Sequence, residues 1–507
     1  MYLSKKRVSQ FQASDISPED YFKLPEKALQ FGTGVLLRGL PDYFIDKANK
    51  ANVFNGRIVV VKSTDGSVGP FDLQDSLYTQ CIRGIENGNH VRQNIINASI
   101  SRVIPAGGKW DQILACAENP EMQLVISNTT EVGIAFSPDN IHDAPPESFP
   151  GKLLAFLYRR FQYFGGDGSK GMVIVPTELI PGNGELLLSI LLRLADLNKL
   201  DDSFSEWLKD ANFFCNSLVD RIVPGKPPKD QISKLEEELG YQDDLMIISE
   251  PYGLWAIEGK DKKVSEILSF SKTDSGVVIA PDINIFRELK LRLLNGSHTF
   301  SCGLAALAGF ENVREAMENE IFGEYVRRLM IREIVPSITT DSLTATDALN
   351  FSKKVLDRFC NPYIVHQWLA ITMQYSSKMC LRNVPILLNY TERFGLIPQW
   401  MTLGFAAHIL FMKPVEFSAD KYYGEVSGKK YLINDNQAEI YAAAWKNRDT
   451  GETVAEILGN RGLWKNDLTL IDGFSSGVLN CLLEMQGGEI RNLIKKMLVN
   501  QDQKTNA

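Results

Sequence analysis

Ala28-Leu-Gln-Phe-Gly32-Thr-Gly34-Val-Leu-Leu-Arg38-Gly39 is a short apolar run that enters a Gly-x-Gly turn and leaves it on an apolar helical pattern. A strand that passes into a helix over two glycines brings unhindered main chain to the helix start, where a pyrophosphate can rest against free N–H groups. The stretch reads as the opening of a dinucleotide-binding fold, with Ala28, Leu29, Gln30, Phe31, Gly32, Thr33, Gly34, Val35, Leu36, Leu37, Arg38 and Gly39 as its cofactor segment. Leu37 stands where the third glycine of the usual fingerprint falls. A second apolar run, Ile58-Val-Val-Val61, arrives at the distance a βαβ unit requires. It ends in Lys62-Ser63-Thr64 rather than in the acidic residue that usually grips the ribose hydroxyls. Lys62 is read as a solvated lysine at a strand end in preference to a 2′-phosphate ligand.

Downstream, strand patterns (Leu124–Ser127, Met172–Pro176, Leu245–Ser249, Leu254–Glu258) alternate with helical ones (Gly151–Phe164, Gly184–Leu197, Asp230–Leu239). Such alternation predicts a mainly parallel sheet. After Pro281 the strand signals fade and helical patterns take over: Ile285–Leu294, Thr299–Ala308, Val313–Ile331, Thr344–Phe359, Val365–Met379 and Pro398–Phe411. The expected architecture is an α/β Rossmann-type dinucleotide-binding domain over residues 25–280, followed by a mainly α-helical domain over residues 281–500. Ligands of open α/β sheets bind beyond the carboxyl ends of the strands. Asn128, Thr129 and Thr130 follow the third strand pattern and are expected to bound the cofactor. Glu178 and Asn183 follow the fourth and are expected to face the substrate.

Lys290-Leu-Arg-Leu-Leu-Asn295-Gly-Ser-His298 places a lysine, an amide and an imidazole within one run. On an α-helix Asn295 and His298 share a face, and Lys290 lies about 140° round from Asn295. A lysine that gives or takes a proton, with an amide and an imidazole to hold a carbonyl oxygen, suits reduction of a ketone.

The bulk properties narrow the field. The 507 residues carry a net charge of −8, with 44% hydrophobic and 23% charged residues. That is an ordinary globular composition with no basic footprint for nucleic acid or an anionic membrane. The 7 cysteines form no Cys-x-x-Cys pair and no framework, which argues for a reducing cytoplasm. The 5 histidines show no metal-ligand spacing. Gly395 to Met412, the longest apolar stretch, contains Pro398, Gln399 and His408 and reads as a buried helix.

Four segments together resemble the mannitol dehydrogenase family of long-chain polyol dehydrogenases. They are Phe31-Gly-Thr-Gly-Val-Leu-Leu-Arg38, Asn216-Ser-Leu-Val-Asp220-Arg221-Ile-Val-Pro224, Glu250-Pro-Tyr-Gly-Leu-Trp255-Ala-Ile-Glu258 and the Lys290–His298 run. Further segments (Asn119-Pro-Glu-Met122, Ser127-Asn-Thr-Thr-Glu131, Lys234–Tyr241 and Asn361–Gln367) are similar to the branch that reduces the keto-uronate tagaturonate, rather than to those acting on mannitol or fructuronate. The resemblance implies NAD(H) as cofactor, Lys290 as general acid and base, Asn295 and His298 as its catalytic partners, a small sugar-acid substrate and no metal. The Asp-Asn pair usual in the mannitol-type enzymes of the family is replaced here by Glu178-Leu179. A keto-uronate brings a carboxylate, for which Arg292, Lys378 and Arg382 are candidates, Arg382 first because guanidinium matches carboxylate geometry. Asp220-Arg221 is expected to be an intradomain pair that positions Lys290 or the sugar hydroxyls. The alternatives are a fructuronate reductase or polyol dehydrogenase of the same family and, outside enzymes, a dinucleotide-binding sensor.

Overall fold

The computed structural model describes residues 1–10, 18–64, 66–129, 133–446 and 448–505. Thr130, expected at the cofactor, lies outside them. The chain forms two compact units, one of Met1–Gly84 with His90–Ile283, the other of Ile85–Asn89 with Asn284–Ala507.

The first unit is built on six strands: β1 (Glu26–Phe31), β2 (Arg57–Lys62), β3 (Ile100–Pro105), β4 (Leu124–Ser127), β5 (Val173–Pro176) and β6 (Phe213–Phe214). They lie side by side in the order β3-β2-β1-β4-β5-β6, every neighbour parallel. Successive side chains of a strand point to opposite faces. Leu29, Phe31, Val59 and Val61 enter one core with Trp110 and Leu153. Ala28, Ile58 and Val60 enter another with Phe44 and Trp255. Burial of both faces is why these strands read as unbroken apolar runs. The strand order reverses between β1 and β4, whose ends are in register at Phe31 and Ser127. A crevice at such a reversal is where doubly wound sheets bind ligands.

Two expected strands leave the main sheet. Ile247–Ser249 pairs with Tyr78–Glu86. Leu254–Glu258 pairs antiparallel with Ser217–Asp220 and parallel with Val277–Ala280. Tyr78–Glu86 escapes a pattern reading because Thr79, Gln80 and Arg83 are polar yet buried.

The second unit is mainly helical as expected, and differs from the individual helical patterns as follows. Val365–Met379 is not one helix: Gln374 takes φ +53° between Trp368–Ile371 and Tyr375–Lys378. Val313–Ile331 breaks at Asn319, whose side chain caps the next helix by accepting from the Phe322 amide at 3.1 Å. Glu416–Ser418, Lys421–Val426 and Lys429–Leu432 form an antiparallel sheet. Its turns, Ala419-Asp420 and Ser427-Gly428, have positive φ at both residues, the two-residue hairpin geometry. The apolar stretch before that sheet forms the buried helix Gln399–Phe411. Among the described residues no helix is long and apolar enough to cross a membrane.

Candidate active site

In the first unit the chain leaves β1 through Gly32, whose φ is +125°, and enters the helix Val35–Gly39 after Gly34. A side chain at Gly32 would meet Leu37 Cδ1 at 2.9 Å and the Asn128 carbonyl at 3.1 Å. Only glycine permits both that backbone angle and that approach. Around Gly34 a Cβ would meet nothing within 4 Å, so there the main chain lies open. This is the cradle a dinucleotide's phosphates require, and the residues present fit it.

The expected cofactor segment divides by burial. Gly32, Thr33, Gly34, Val35 and Leu36 reach solvent, whereas Ala28, Leu29, Gln30, Phe31, Leu37, Arg38 and Gly39 are buried. The buried ones hold the turn in place. Gln30 donates to the Gly32 carbonyl at 3.3 Å. Arg38 donates to the Leu245 carbonyl at 2.5 Å and lies over Tyr78, so its guanidinium is a brace and not a phosphate ligand. Arg221 donates to the carbonyls of Gly39, at 2.9 Å, and Glu250, at 3.0 and 2.8 Å.

At the end of β4, Asn128 donates to Thr177 Oγ1 at 2.9 Å. Glu178 accepts from Ser127 Oγ at 3.1 Å and from the Thr129 amide and hydroxyl at 2.8 and 3.0 Å. Asn183 donates to the carbonyls of Pro176, Glu178 and Ser217 and accepts from the amides of Gly184 and Ser217. Both are almost fully buried. Their polar atoms fasten the loops after β4 and β5, where they were expected to face substrate. Leu179, in the position of the mannitol-type enzymes' asparagine, is exposed. Asp220 is buried at the end of its strand, paired in register with Leu254.

The second unit gathers the other candidates. Leu289–Gly296 is not α-helical but π-helical. A π-turn closes i to i+5, so Lys290 and Asn295 lie nearer to one face than the roughly 140° separation of an α-helix. Gly296 permits close packing against a second π-turn, Met379–Asn383, because a Cβ there would meet Asn383 Oδ1 at 3.2 Å. Ser297 Oγ donates to the Leu293 carbonyl at 2.5 Å, and Thr299 Oγ1 to the Asn295 carbonyl at 2.7 Å, satisfying groups that the wider winding leaves over. Arg292 spends its guanidinium on Glu288 and on the carbonyls of Leu381 and Arg382, which removes it as a carboxylate ligand.

His298 follows at the start of the helix Ser297–Leu307. Its ring stacks on Phe359 at 3.9 Å and stands edge-on to His366 at 5.7 Å and Trp368 at 5.9 Å. Burial, reinforced by His366, Arg358, Arg382 and Lys378, holds the imidazole well below its ordinary pKa, so it is neutral at pH 7. Its Nε2 is buried and has no hydrogen-bond partner among the described residues. Buried polar atoms of native proteins are almost always paired, so an unpaired one marks a place for something else. Lys378 donates to the Ile371 carbonyl at 2.9 Å and Arg382 to Thr299 Oγ1 at 3.1 Å. The second unit thus carries Lys290, Asn295, His298, Lys378 and Arg382, of which Lys378 and Arg382 lie close enough to His298 to affect its protonation, and the first carries Glu178, Asn183 and Asp220.

Sequence reading missed Arg358, Phe359, His366 and Thr299 around His298. His366 offered a signal, a histidine beside the Asn361-Pro362 turn. Thr299 offered none.

A family model described as the mannitol dehydrogenase Rossmann domain matches residues 26–268, and one described as the mannitol dehydrogenase C-terminal domain matches residues 282–486. An altronate oxidoreductase of Bacillus subtilis (strain 168) is 37% identical over 493 residues, 93% of this chain and 98% of its own. Another, of Shigella flexneri, is 38% identical over 468 residues, 90% of this chain and 94% of its own. Among solved structures, Pseudomonas fluorescens mannitol 2-dehydrogenase in ternary complex with NAD and D-mannitol superposes with a TM-score of 0.64 at 22% identity, covering 98% and 99% of the two chains. D-sorbitol dehydrogenase in substrate-free form does so with a TM-score of 0.78 at 19% identity, covering 97% and 100%. At these identities the two structures speak to fold alone.

Proposed function

The chain belongs to the mannitol dehydrogenase family, and on that premise we propose that it is an NAD-dependent oxidoreductase interconverting D-tagaturonate and D-altronate in hexuronate catabolism. The altronate oxidoreductases it resembles, at 37 and 38% identity over most of both chains, support the substrate. The single observation that carries the chemistry is the buried Nε2 of His298, unpartnered among the described residues, two positions beyond the π-turn that carries Lys290 and Asn295.

The Gly32–Gly34 turn would hold NAD(H), which when bound would supply or take the hydride. Gly32, Thr33, Gly34, Val35 and Leu36 would hold it with Asn128 and Thr129. Lys290 gives a proton to the carbonyl oxygen in reduction and takes it back in oxidation. The Asn295 amide and the neutral His298 imidazole donate hydrogen bonds to that oxygen as negative charge develops on it. A neutral imidazole can donate from Nε2 only in one tautomer. A π-winding suits this task because it places proton donor and amide one turn apart on one segment. Seven free thiols fit a cytoplasmic enzyme.

The test is consumption of NADH by the purified protein with tagaturonate, fructuronate and fructose in parallel, each repeated with NADPH. Fast turnover of tagaturonate with NADH is expected. Turnover of fructuronate or fructose instead replaces the substrate. Binding of NADH without turnover of any of them leaves a dinucleotide-binding sensor.

A further inference from the structure

Thr299 is fully buried and joins two parts of the candidate site through one hydroxyl. Its single proton goes to the main-chain carbonyl of Asn295 at 2.7 Å. Its lone pair accepts from Arg382 Nη1 at 3.1 Å. A hydroxyl has one hydrogen, so Thr299 has none left for a substrate. It can only orient.

Arg382 is half-buried, and among the described residues it makes no ion pair. Nη1 is held by Thr299, and no other hydrogen bond of this guanidinium occurs among the described residues. Lys378 is in a similar state, its amine bound to a carbonyl and not to an acid. Two cations drawn partly out of water, neither in an ion pair among the described residues although Asp435 lies near enough to act on Lys378, stand beside a neutral imidazole and form a place that an anion stabilises. The planar guanidinium accepts a carboxylate on two nitrogens at once. Because Arg382 and the π-turn share Thr299, the position that reads the acid end of a substrate is indexed to the position that reads its carbonyl.

We infer that Arg382 binds the carboxylate of the sugar acid, and that Thr299 is a positioning residue that sets Arg382 against the turn carrying Lys290 and Asn295. The inference rests on the keto-uronate reading above.

The experiment compares the full-length protein with Arg382→Gln, Thr299→Val and Thr299→Ser, with saturating NADH, on tagaturonate and on the neutral ketoses tagatose and fructose. Loss of a charged hydrogen-bond partner corresponds to a change of roughly 10- to 100-fold. Arg382→Gln is expected to raise KM for tagaturonate by about that factor and to lower its kcat/KM preference over the neutral ketoses equally. Thr299→Val is expected to raise the same KM about 10-fold, with kcat less affected, and Thr299→Ser to restore it within about 3-fold. A purely structural threonine would lower melting temperature and kcat without moving the preference. An unchanged preference in Arg382→Gln overturns the carboxylate assignment while leaving the proposed activity standing. Equal behaviour of Thr299→Val and Thr299→Ser overturns the positioning role. If Thr299→Val fails to fold, Arg382→Gln decides alone. Failure of the unaltered protein on every keto-uronate removes the proposed activity and this inference together.

Discussion

Arg292 donates from Nη1 to the main-chain carbonyls of Leu381 and Arg382, at 2.8 and 2.7 Å. A side chain on one π-turn thereby closes carbonyls that the other π-turn leaves without partners. Wide turns of this kind carry fewer well-formed backbone bonds than an α-helix and persist mostly at functional sites. Here Lys290 and Asn295 sit on one and Arg382 on the other, with Gly296 allowing the two to touch Asn383 closely.

Arg292→Met keeps an aliphatic stem and removes those bonds. Leaving the carbonyls unpaired should destabilise the protein by about 2 kcal/mol or more. Thermal melting measures this directly. Turnover should fall with it, but the preference for keto-uronate over neutral ketose should hold, because Arg292 serves main chain and not substrate. A shifted preference in this variant would return Arg292 to the list of carboxylate ligands.

Two glycines of one turn should respond in opposite ways. Gly34 has open space where a Cβ would go, so Gly34→Ala should melt with the unaltered protein and yet bind NADH at least about tenfold more weakly, since the methyl occupies the approach of the phosphates. Gly32 has φ +125° and close neighbours, so Gly32→Ala should itself lose about 1–3 kcal/mol of stability. Calorimetric titration with NADH, alongside melting curves, separates the two. Tight NADH binding by Gly34→Ala would place the cofactor elsewhere.

The contrast between these positions and the loops after β4 and β5 shows what a pattern can carry. Leu29, Val59 and Val61 were legible because a strand buried on both faces has an apolar residue at nearly every position. Gly32 was legible because few residues other than glycine tolerate its backbone angle. Glu178 and Asn183 were placed in the right loops, but their bonds to those loops were not legible. A buried polar residue that ties strands together has the same sequence signature as one that faces a ligand, and only their bond partners tell them apart. The Lys290–Asn295 relationship failed for another reason. A helical wheel assumes 3.6 residues per turn, and nothing in Leu-Lys-Leu-Arg-Leu-Leu-Asn-Gly announces the wider winding that Ser297, Thr299 and Arg292 sustain from elsewhere in the chain.

Lys290→Ala should reduce turnover of the keto-uronate by about 100- to 10,000-fold, the range associated with loss of a positioned acid or base. NADH binding should survive, because the lysine belongs to the second unit and the glycine turn to the first. Steady-state kinetics with a parallel NADH titration gives both numbers. Near-normal turnover in this variant would show that the proton comes from another group.

His408 should contribute a measurable loss of stability on acidification, opposed by buried carboxyls. It is fully buried among Tyr375, Tyr441 and Trp464, and neither ring nitrogen has a partner among the described residues. Burial pushes it down to about 3, and His298 is driven in the same direction. In the unfolded chain a histidine takes up its proton near pH 6.5, as roughly expected for a free side chain. Below that pH the unfolded state holds more protons than the folded one, so the stability these rings contribute is present above about pH 6.5 and is lost as pH falls toward the folded values. Going from about pH 7.5 to about pH 5.5 should cost about 1.4 kcal/mol through His408 alone. Glu333 and Asp42, both raised to about 8 by burial, act with the opposite sign: their contribution is present at low pH and is lost as pH rises through 8. Comparing the unaltered protein with His408→Leu cancels those carboxyls, since both proteins contain them. Urea midpoints at the two pH values should therefore converge on acidification, the variant losing less by about 1.4 kcal/mol. Parallel losses in both proteins would mean that His408 has a native partner that lets it titrate normally.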